Sequence, residues 1–575
     1  MKRYWKYIRP YIQYYILGPC FMMMEVVGDV LLPYMLAKII NQGIAERNVV
    51  YIIKIGVIMG FIAVIMAVGG VLGAWFASKA AMNFGADLRM DLFEKIQQFS
   101  FQNIDNFSTG SLITRLTNDI TQIQNMIMMT LRMCLRSPGI LIGAMVMAFV
   151  ISPKLAAIFI IVLPVLAVLI VVIMRRAFPQ FRTLQEKLDA LNSCIQEGLV
   201  GIRLIKSFVR GDYEEMRFEK RNQQLKEANL TAMKTMLLYT PLMTLALNIT
   251  TVVVVWSGGN MIVDGNMQVG DLTAFTNYIV QIMSSLTMLS IAFLNWARAI
   301  ASFRRVGEVL DEKIDLTDEN AKHKDRAVCE GSVEFQNVSF RYYKNRPGWV
   351  IENISFKLEA GKTLGIIGPT GSGKSTLVSM IPRLYDTDEG AVLVDGINVR
   401  DYGLKPLREG IGMVLQNNML FSGSITENLK WGDEHADEKA VRKAAQNAQA
   451  AGFIDSFKDG YRTRLEQSGN NVSGGQKQRL CIARALLKCP KILILDDSTS
   501  AVDTATERAI REALHSEYKD MTKIIIAQRI RSVMDADEIL VLDNGKTAGF
   551  GTHEQLLADC PVYREIYDVQ NGREE

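Results

Sequence analysis

The chain has 575 residues, too many for one ordinary domain. Typical domain sizes suggest about two to four domains for this length. Apolar residues make up 49% of it and the mean hydropathy is positive, which argues against a purely soluble protein and indicates a membrane protein with a sizeable water-soluble part. The formal net charge of +4 is small for this length and gives no indication of a nucleic-acid partner.

The first residues, MKRYWKYIRP, are basic but lack a small-residue cleavage site, so we expect no removable signal peptide. The seven cysteines show no repeated spacing. Cys481 and Cys489 lie in a helical stretch without a paired zinc pattern, and we expect them to be buried free thiols.

Six apolar runs are each long enough, at about 20 residues, to span a bilayer. They occupy residues 13 to 43, 51 to 77, 133 to 152, 154 to 174, 236 to 263 and 272 to 297. Short connections alternate with two long charged ones, 78 to 132 and 175 to 235, and the positive-inside tendency places both long connections and both termini in the cytoplasm. Helical periodicity continues into the long connections, which predicts spanning helices that extend far beyond the membrane.

The polarity of the chain changes after the last apolar run. We predict a polytopic helical membrane domain over residues 1 to 310, a polar linker over 311 to 330 and a second domain over 331 to 575. In the second domain, short β-branched runs alternate with helical patterns, which predicts an α/β fold with a largely parallel sheet. The runs are VEFQNVSFRY, TLGIIG, AVLVDG, KILILD, TKIIIA and EILVLD.

The motif GPTGSGKST follows the apolar strand TLGII and precedes a helical pattern, which is the context that a phosphate-binding P-loop requires. The predicted ATP-binding residues are Gly368, Pro369, Thr370, Gly371, Ser372, Gly373, Lys374, Ser375 and Thr376. Lys374 supplies charge to the outer phosphates, and the Ser375 hydroxyl can bind Mg²⁺. Asp496 ends an apolar run and is predicted to hold Mg²⁺ or its water shell.

The segment NVSGGQKQRLCIARALL resembles the signature of ATP-binding cassette (ABC) transporters, and the resemblance covers essentially the whole chain. It implies an exporter-type half-transporter (the type IV fold) with six spanning helices that uses ATP and Mg²⁺. It also implies that Val472, Ser473, Gly474, Gly475 and Gln476 close over the γ-phosphate of ATP bound to a second subunit, where a helix start favours an anion.

The same resemblance assigns roles to other residues. Tyr342 is similar in position to the aromatic that stacks on adenine, and Gln416 to the glutamine that reaches Mg²⁺. Ser500 and Asp503 resemble the loop that crosses the dimer interface. The two long connections resemble intracellular loops, with short coupling helices expected near Gln102 to Asn106 and Arg210 to Glu215.

Two catalytic positions depart from the family pattern. Asp497 replaces the glutamate that orients the attacking water, and Gln528 replaces the histidine that holds the γ-phosphate. Aspartate retracts the charge by one methylene, and a misplacement of about 1 Å can cost roughly a hundredfold in rate. Glutamine can donate a hydrogen bond but cannot become a cation. Gln467, where the family often has a glutamate, is a third departure.

An intact phosphate loop beside two altered catalytic groups predicts a chain that holds ATP and rarely cleaves it. We therefore expect a heterodimer in a bacterial plasma membrane, with a second half-transporter that carries the consensus glutamate and histidine. Two alternatives stay open: a homodimeric exporter that hydrolyses ATP slowly through Asp497, and a regulatory membrane protein gated by ATP. A second half-transporter in the neighbouring coding sequence would favour the heterodimer.

Glu25 and Asp29 lie one helical turn apart in the first apolar run, so they share a face. Charged groups at membrane depth usually face a polar cavity or a partner, so these two either attract cationic amphipathic substrates or pair with a neighbouring helix. Asn248, Asn277 and Gln281 could line the same cavity or join helices. The family resemblance implies export of small lipophilic or amphipathic molecules, peptides or lipids.

Overall fold

The structure is a computed structural model that describes residues 2–344, 348–497 and 502–571. The chain divides into two compact units. The first comprises the residues up to Gln97 together with Gly110–Asp311, and the second comprises Gln98–Thr109 together with the chain from Glu312 onward. The first unit is helical and the second is α/β, in agreement with the predicted fold class.

Helices account for the first unit and for the short insertion Gln98–Thr109. In chain order they are α1 Trp5–Ile8, α2 Ile12–Lys38, α3 Val49–Gln97, α4 Phe101–Asp105, α5 Thr109–Thr114, α6 Ile120–Met133, α7 Arg136–Ile151, α8 Pro153–Val200, α9 Ile202–Ser207, α10 Gly211–Leu237, α11 Tyr239–Val263 and α12 Val269–Asp311. Two π-helical turns, Ile39–Ile44 and Arg115–Asp119, extend α2 and join α5 to α6.

Five helical stretches within the described residues are long and apolar enough to cross a membrane. They are Trp5–Ile44, Val49–Gln97, Thr109–Ile151, Pro153–Val200 and Gly211–Val263. The sixth predicted span, 272 to 297, lies within α12 and is not among these five. Helix α3 has 49 residues and is therefore about 70 Å long, more than twice the thickness of a bilayer core. Helices that extend well beyond the membrane are thus present, as predicted.

The two predicted coupling helices differ in outcome. Near Gln102 to Asn106 the chain forms α4. Its N-cap is Ser100, whose hydroxyl accepts a hydrogen bond from the Asn103 N–H at 3.1 Å. The second prediction, Arg210 to Glu215, is wrong as a separate short helix, because these residues form the N-cap and first turn of the 27-residue α10. The short helix in this loop is α9, which is separated from α10 by a turn with Val209 at a φ of 52°.

A buried carboxylate joins the π-helical turn Arg115–Asp119 to α12 in the first unit. Asp119 is 2% exposed and accepts hydrogen bonds from Ser302 Oγ at 2.8 Å and from Arg305 Nε at 2.8 Å. Arg305 Nε bonds to Oδ2, and Arg305 Nη2 contacts Oδ1, the oxygen that also accepts from Ser302. The arginine and the carboxylate therefore form a bidentate pair. A buried carboxylate needs such partners, because burying an unpaired charge is costly.

The second unit contains two main sheets. Its strands are β1 Val333–Phe340, β2 Ile351–Leu358, β3 Thr363–Ile367, β4 Glu389–Val394, β5 Ile397–Asn398, β6 Ile411–Val414, β7 Gly423–Ser424, β8 Arg464–Leu465, β9 Ile492–Asp496, β10 Thr522–Ile526, β11 Glu538–Asp543 and β12 Lys546–Gly551. The larger sheet has the order β12-β11-β3-β10-β9-β6 and is parallel except for its edge strand β12.

One part of the sheet prediction is wrong. The runs VEFQNVSFRY and AVLVDG do not join the parallel sheet but form a separate antiparallel sheet in the order β2-β1-β4-β5. The turn between β4 and β5 explains part of this, because Asp395 and Gly396 both have positive φ values and favour a tight antiparallel hairpin. Strand composition alone does not distinguish the two sheets, since strands of both carry buried apolar side chains.

Helices cover the parallel sheet and form a second cluster of buried residues. They are α13 Lys374–Ser379, α14 Leu404–Glu409, α15 Ile425–Leu429, α16 Glu438–Asn447, α17 Ala451–Ser456, α18 Gly474–Leu487, α19 Thr504–Ser516, α20 His553–Asp559 and α21 Pro561–Asn571. Cys481 on α18 is buried, as expected. Cys489 is exposed, which contradicts the prediction, because α18 ends at Leu487 and Cys489 lies in the following turn at a φ of 48°.

We expect Asp119→Ala to destabilise the chain by about 2 kcal/mol, because Arg305 and Ser302 lose their shared acceptor. The measurement is the apparent melting temperature of the full chain in detergent. Asp189→Ala removes an exposed carboxylate from α8 and serves as the control, with a change within about 0.5 kcal/mol. Equal melting temperatures for the two variants would contradict the role given to Asp119.

Candidate functional site: a phosphate loop and two catalytic positions

The loop between β3 and α13 curls in a way that requires glycine. Gly368 has a φ of 155°, and a Cβ built on it would lie 2.0 Å from the Leu542 carbonyl oxygen. Gly373 caps α13 in the left-handed region at a φ of 91°, where a Cβ would lie 2.7 Å from Ile351 Cγ2. Because the strand before the loop and the helix after it fix both ends, the backbone N–H groups can turn toward a bound phosphate.

Lys374 is the cation of this loop. Its ammonium donates hydrogen bonds to the carbonyl oxygens of Gly368 and Pro369, both at 2.8 Å. Burial lowers the pKa of Lys374, and the negative charges of Asp496 and Asp497 act in the opposite direction. The lysine thus lies between the phosphate loop and the two carboxylates that follow β9.

Ser375 and Asp496 meet across the site although they are far apart in the sequence. The Ser375 hydroxyl donates to Asp496 Oδ1 at 3.0 Å. Asp496 is 4% exposed, and burial raises its pKa while the Ser375 hydrogen bond and the Lys374 charge lower it. A serine hydroxyl beside a carboxylate is a set of hard oxygen donors that suits Mg²⁺.

The two positions that depart from the family pattern contact each other directly. Gln528 Nε2 donates a hydrogen bond to Asp497 Oδ2 at 2.7 Å. The parallel pairing of β9 with β10 places Asp496 opposite Ile526, so the residues just after each strand emerge at the same edge of the sheet. Asp497 adopts a positive φ of 47°, and its own N–H donates to the Ile526 carbonyl at 3.1 Å.

The surroundings of Asp497 include a second amide. Burial raises the pKa of Asp497, whereas hydrogen bonds from Gln528 and Gln416 and the charge of Lys374 lower it. Gln416 follows β6, the strand next to β9, so the sheet also brings this predicted Mg²⁺ ligand to the site. The structure therefore gathers Lys374, Ser375, Gln416, Asp496, Asp497 and Gln528 at the carboxyl ends of adjacent strands.

The signature segment lies at the start of α18. Ser473 is the N-cap, its hydroxyl accepts from the Gln476 N–H at 3.3 Å, and the Gln476 side chain accepts from the Ser473 N–H at 2.9 Å. Val472 packs against a buried apolar cluster. The predicted roles of Gly474 and Gly475 toward a second subunit stay predictions.

Of the two residues predicted for the interface loop, Asp503 lies at the start of a helix. Asp503 caps α19 and accepts hydrogen bonds from the Thr506 N–H at 3.0 Å and from the Thr506 hydroxyl at 2.7 Å. Both bonds lower the pKa of Asp503. Ser500 lies outside the described residues.

Tyr342, the predicted adenine-stacking residue, touches the phosphate-loop helix. Its hydroxyl lies 2.9 Å from Thr376 Oγ1, the third residue of α13. Its ring is edge-on to Phe340 and to Tyr385, with ring centroids 5.0 and 5.3 Å apart. Tyr385 was not predicted as a site residue; the sequence offers only an aromatic side chain shortly after the P-loop helix.

In the first unit, the acidic pair of the first apolar run has a cationic partner. Arg136 Nη2 lies 2.8 Å from Glu25 Oε1 and 3.4 Å from Asp29 Oδ2, and Gln281 Nε2 donates to the Asp29 carbonyl at 2.7 Å. Asn277 is exposed and bonds within its own helix. Sequence reasoning missed Arg136, although an arginine inside a predicted span was the available signal.

The last predicted member of the substrate cavity, Asn248, is exposed on α11. The contacts therefore join Glu25, Asp29 and Gln281 through Arg136 and the α2 backbone, and they do not include Asn248 or Asn277. Among the two hypotheses for Glu25 and Asp29, the geometry supports pairing with a neighbouring helix.

Comparisons with known proteins agree with this geometry. The family described as the ABC transporter transmembrane region matches residues 15–286, and the family described as ABC transporter matches residues 351–500. The chain belongs to the ABC transporter family. It is an ABC exporter half-transporter, and its cassette couples ATP hydrolysis to transport.

Relatives match this ABC exporter over its full length. It is 39% identical to the ABC transporter ATP-binding protein YfiB of Bacillus subtilis over 574 residues, which covers 100% of this chain and 99% of the relative. It is 33% identical to YgaD of the same organism, named for multidrug export, with 99% of each chain covered. A solved bacterial Atm1-family ABC exporter with ATP bound matches with a TM-score of 0.81 and 25% identity over 98% of each chain.

We expect Gly368→Ala to abolish detectable ATP binding, because a methyl group at this position would collide with the Leu542 carbonyl and force the loop to move. The measurement is equilibrium binding of a fluorescent ATP analogue to the purified exporter. Gly452→Ala is the control and should bind normally, because among the described residues no atom outside its own helical turn and chain neighbours lies within 4 Å of the added Cβ. Unchanged affinity in Gly368→Ala would contradict the assignment of the loop.

Proposed function

We propose that this exporter half works in a heterodimer whose two ATP sites differ, and that its own site binds ATP and hydrolyses it slowly. The observation that carries the proposal is the hydrogen bond from Gln528 to Asp497. A water-activating carboxylate needs an oxygen aimed at the attacking water. Here one oxygen of a shortened acid accepts from an amide at 2.7 Å, and the amide cannot pass a proton as an imidazole can.

The binding half of the site supports retention of nucleotide. Lys374 and the loop that starts at Gly368 would hold the triphosphate, while Tyr342 would stack on the base. Ser375, Asp496 and Gln416 would hold Mg²⁺, which when bound neutralises charge that develops on the phosphates. The segment Val472–Gln476 would serve the ATP site of the partner, where a consensus glutamate and histidine would complete catalysis.

Exposed apolar side chains support assembly with a second half-transporter. At the turn after α9, Phe208 is 69% exposed and Val209 is 89% exposed. On the cassette, Phe421 stacks on Trp431 with ring centroids 4.2 Å apart, and Trp431 is 65% exposed. An interface that buries these side chains gains free energy from the apolar surface removed from water, and ABC exporters work as dimers.

The transported molecules are proposed to be small lipophilic or amphipathic compounds, which leave through the plasma membrane while both termini stay in the cytoplasm. The multidrug-export name of YgaD and the methionine-rich membrane unit support this class, because thioether side chains adapt to varied ligands. In each cycle, ATP would bring the two cassettes together and the membrane unit would open outward. Hydrolysis at the partner's site would then reset the transporter.

We expect the purified chain alone to hydrolyse ATP slowly and the double variant Asp497→Glu with Gln528→His to hydrolyse it at least about tenfold faster, because both catalytic groups return. Each single variant should gain less, since the two side chains bond to each other and act together. The measurement is ATPase activity of the full chain in nanodiscs, with and without a candidate partner half-transporter.

A control substitution separates the two sites of the proposed heterodimer. Ser473→Arg should leave ATP binding to the chain's own loop intact and abolish hydrolysis in the mixed dimer, because it acts on the partner's site. Brisk hydrolysis by the unmodified lone chain would contradict the heterodimer and favour a homodimer that uses Asp497.

A further inference from the structure

Helix α4, in the insertion Gln98–Thr109, is attached to the rest of the second unit at two places. At its middle, Asn103 Nδ2 donates to the Lys313 carbonyl at 2.9 Å and to Glu312 Oε1 at 3.2 Å. At its C-terminal end, Asp105 Oδ2 accepts a hydrogen bond from the Tyr385 hydroxyl at 2.8 Å. The first attachment holds the helix to the residues that follow α12, and the second holds it to the cassette.

Tyr385 is the centre of an aromatic cluster that reaches the phosphate loop. Its ring is 6.0 Å from Phe101 of α4 on one side and 5.3 Å from Tyr342 on the other, measured between centroids. The Tyr342 hydroxyl in turn bonds to Thr376, which belongs to the phosphate-loop motif. A continuous line of contacts therefore runs from Thr376 through Tyr342 and Tyr385 to Asp105.

The two partners of the hydrogen bond between Tyr385 and Asp105 differ in their exposure to solvent. Tyr385 is half-buried, and burial together with the Asp105 carboxylate raises the pKa of its hydroxyl, so it remains a neutral donor at physiological pH. Asp105 is exposed, so solvent can replace the tyrosine as its partner. A hydrogen bond to a charged group that water can replace is strong enough to hold a one-turn helix and weak enough to open.

We propose that Tyr385 is a positioning residue that couples nucleotide binding at the phosphate loop to the insertion Gln98–Thr109 through its hydrogen bond to Asp105. The inference rests on the proposed roles of residues 368–376 and Tyr342. Nucleotide that engages Thr376 and the Tyr342 ring moves Tyr385, and the hydroxyl of Tyr385 carries this movement to α4. Tyr385 contacts Asp105, Phe101 and Tyr342 and is not one of the residues assigned to the phosphates or Mg²⁺, so it acts on coupling and not on the chemical step.

Hydrogen exchange of the full chain in nanodiscs tests this, measured with and without Mg²⁺ and a non-hydrolysable ATP analogue. In the unmodified chain, nucleotide should slow exchange at residues 368–376 and change exchange at 98–109. Tyr385→Phe removes one hydroxyl, and it should keep the first effect while reducing the second by roughly threefold or more. Asp105→Ala removes the same bond from its exposed side and should give the same result.

Two further variants separate coupling from simple damage to the fold. Asp105→Asn keeps an acceptor oxygen and should restore at least about half of the nucleotide effect at 98–109. Tyr461→Phe also removes a buried hydroxyl from the second unit, but this hydroxyl has no hydrogen-bond partner among the described residues, so both effects should persist.

The outcomes distinguish the inference from the function on which it rests. A full nucleotide effect at 98–109 in both Tyr385→Phe and Asp105→Ala, with residues 368–376 still protected, would overturn the role of Tyr385 alone. No protection of 368–376 in the unmodified chain would overturn the phosphate-loop assignment and the coupling together. If Tyr385→Phe fails to bind nucleotide, Asp105→Ala decides the question, because Asp105 lies on the surface.

Discussion

The register of four parallel strands determines the chemistry of the cassette. Strands β3, β10, β9 and β6 are neighbours, and their carboxyl ends meet at one edge, where open α/β sheets bind ligands. A slip of one residue between β9 and β10 would turn every side chain to the opposite face. The observed register pairs Asp496 with Ile526 and brings Asp497 and Gln528 within one hydrogen bond of each other.

Some of this arrangement could be predicted from the sequence, because its signals are local. The phosphate loop and Asp496 are recognisable by the strands that precede them. The bond between Asp497 and Gln528 joins residues 31 positions apart and depends on strand order, which no local pattern reveals. The separate antiparallel sheet was missed for a related reason, since apolar runs describe burial and not the direction in which a strand pairs.

The charged groups of the membrane unit also show the difference between local sequence signals and contacts that depend on the fold. A local pattern identified Glu25 and Asp29 as residues that need a partner, and only the packing of α2 against α7 shows that Arg136 provides it. Two carboxylates and one guanidinium leave a formal charge of minus one at this position. A cationic substrate at this position would therefore meet one net negative charge, shared among groups that already bind each other.

The hydrogen-bonded cap at the start of α18 bears on the conformational entropy that the signature segment would lose when two cassettes close in the proposed dimer. Ser473 Oγ serves there as an acceptor, so its hydroxyl proton is still free to donate to a phosphate. The turn around this serine is thus already rigid before any ligand from another subunit arrives. If this segment closes over the partner's ATP as proposed, no loop has to be ordered at this point, and the entropic penalty of association is correspondingly smaller.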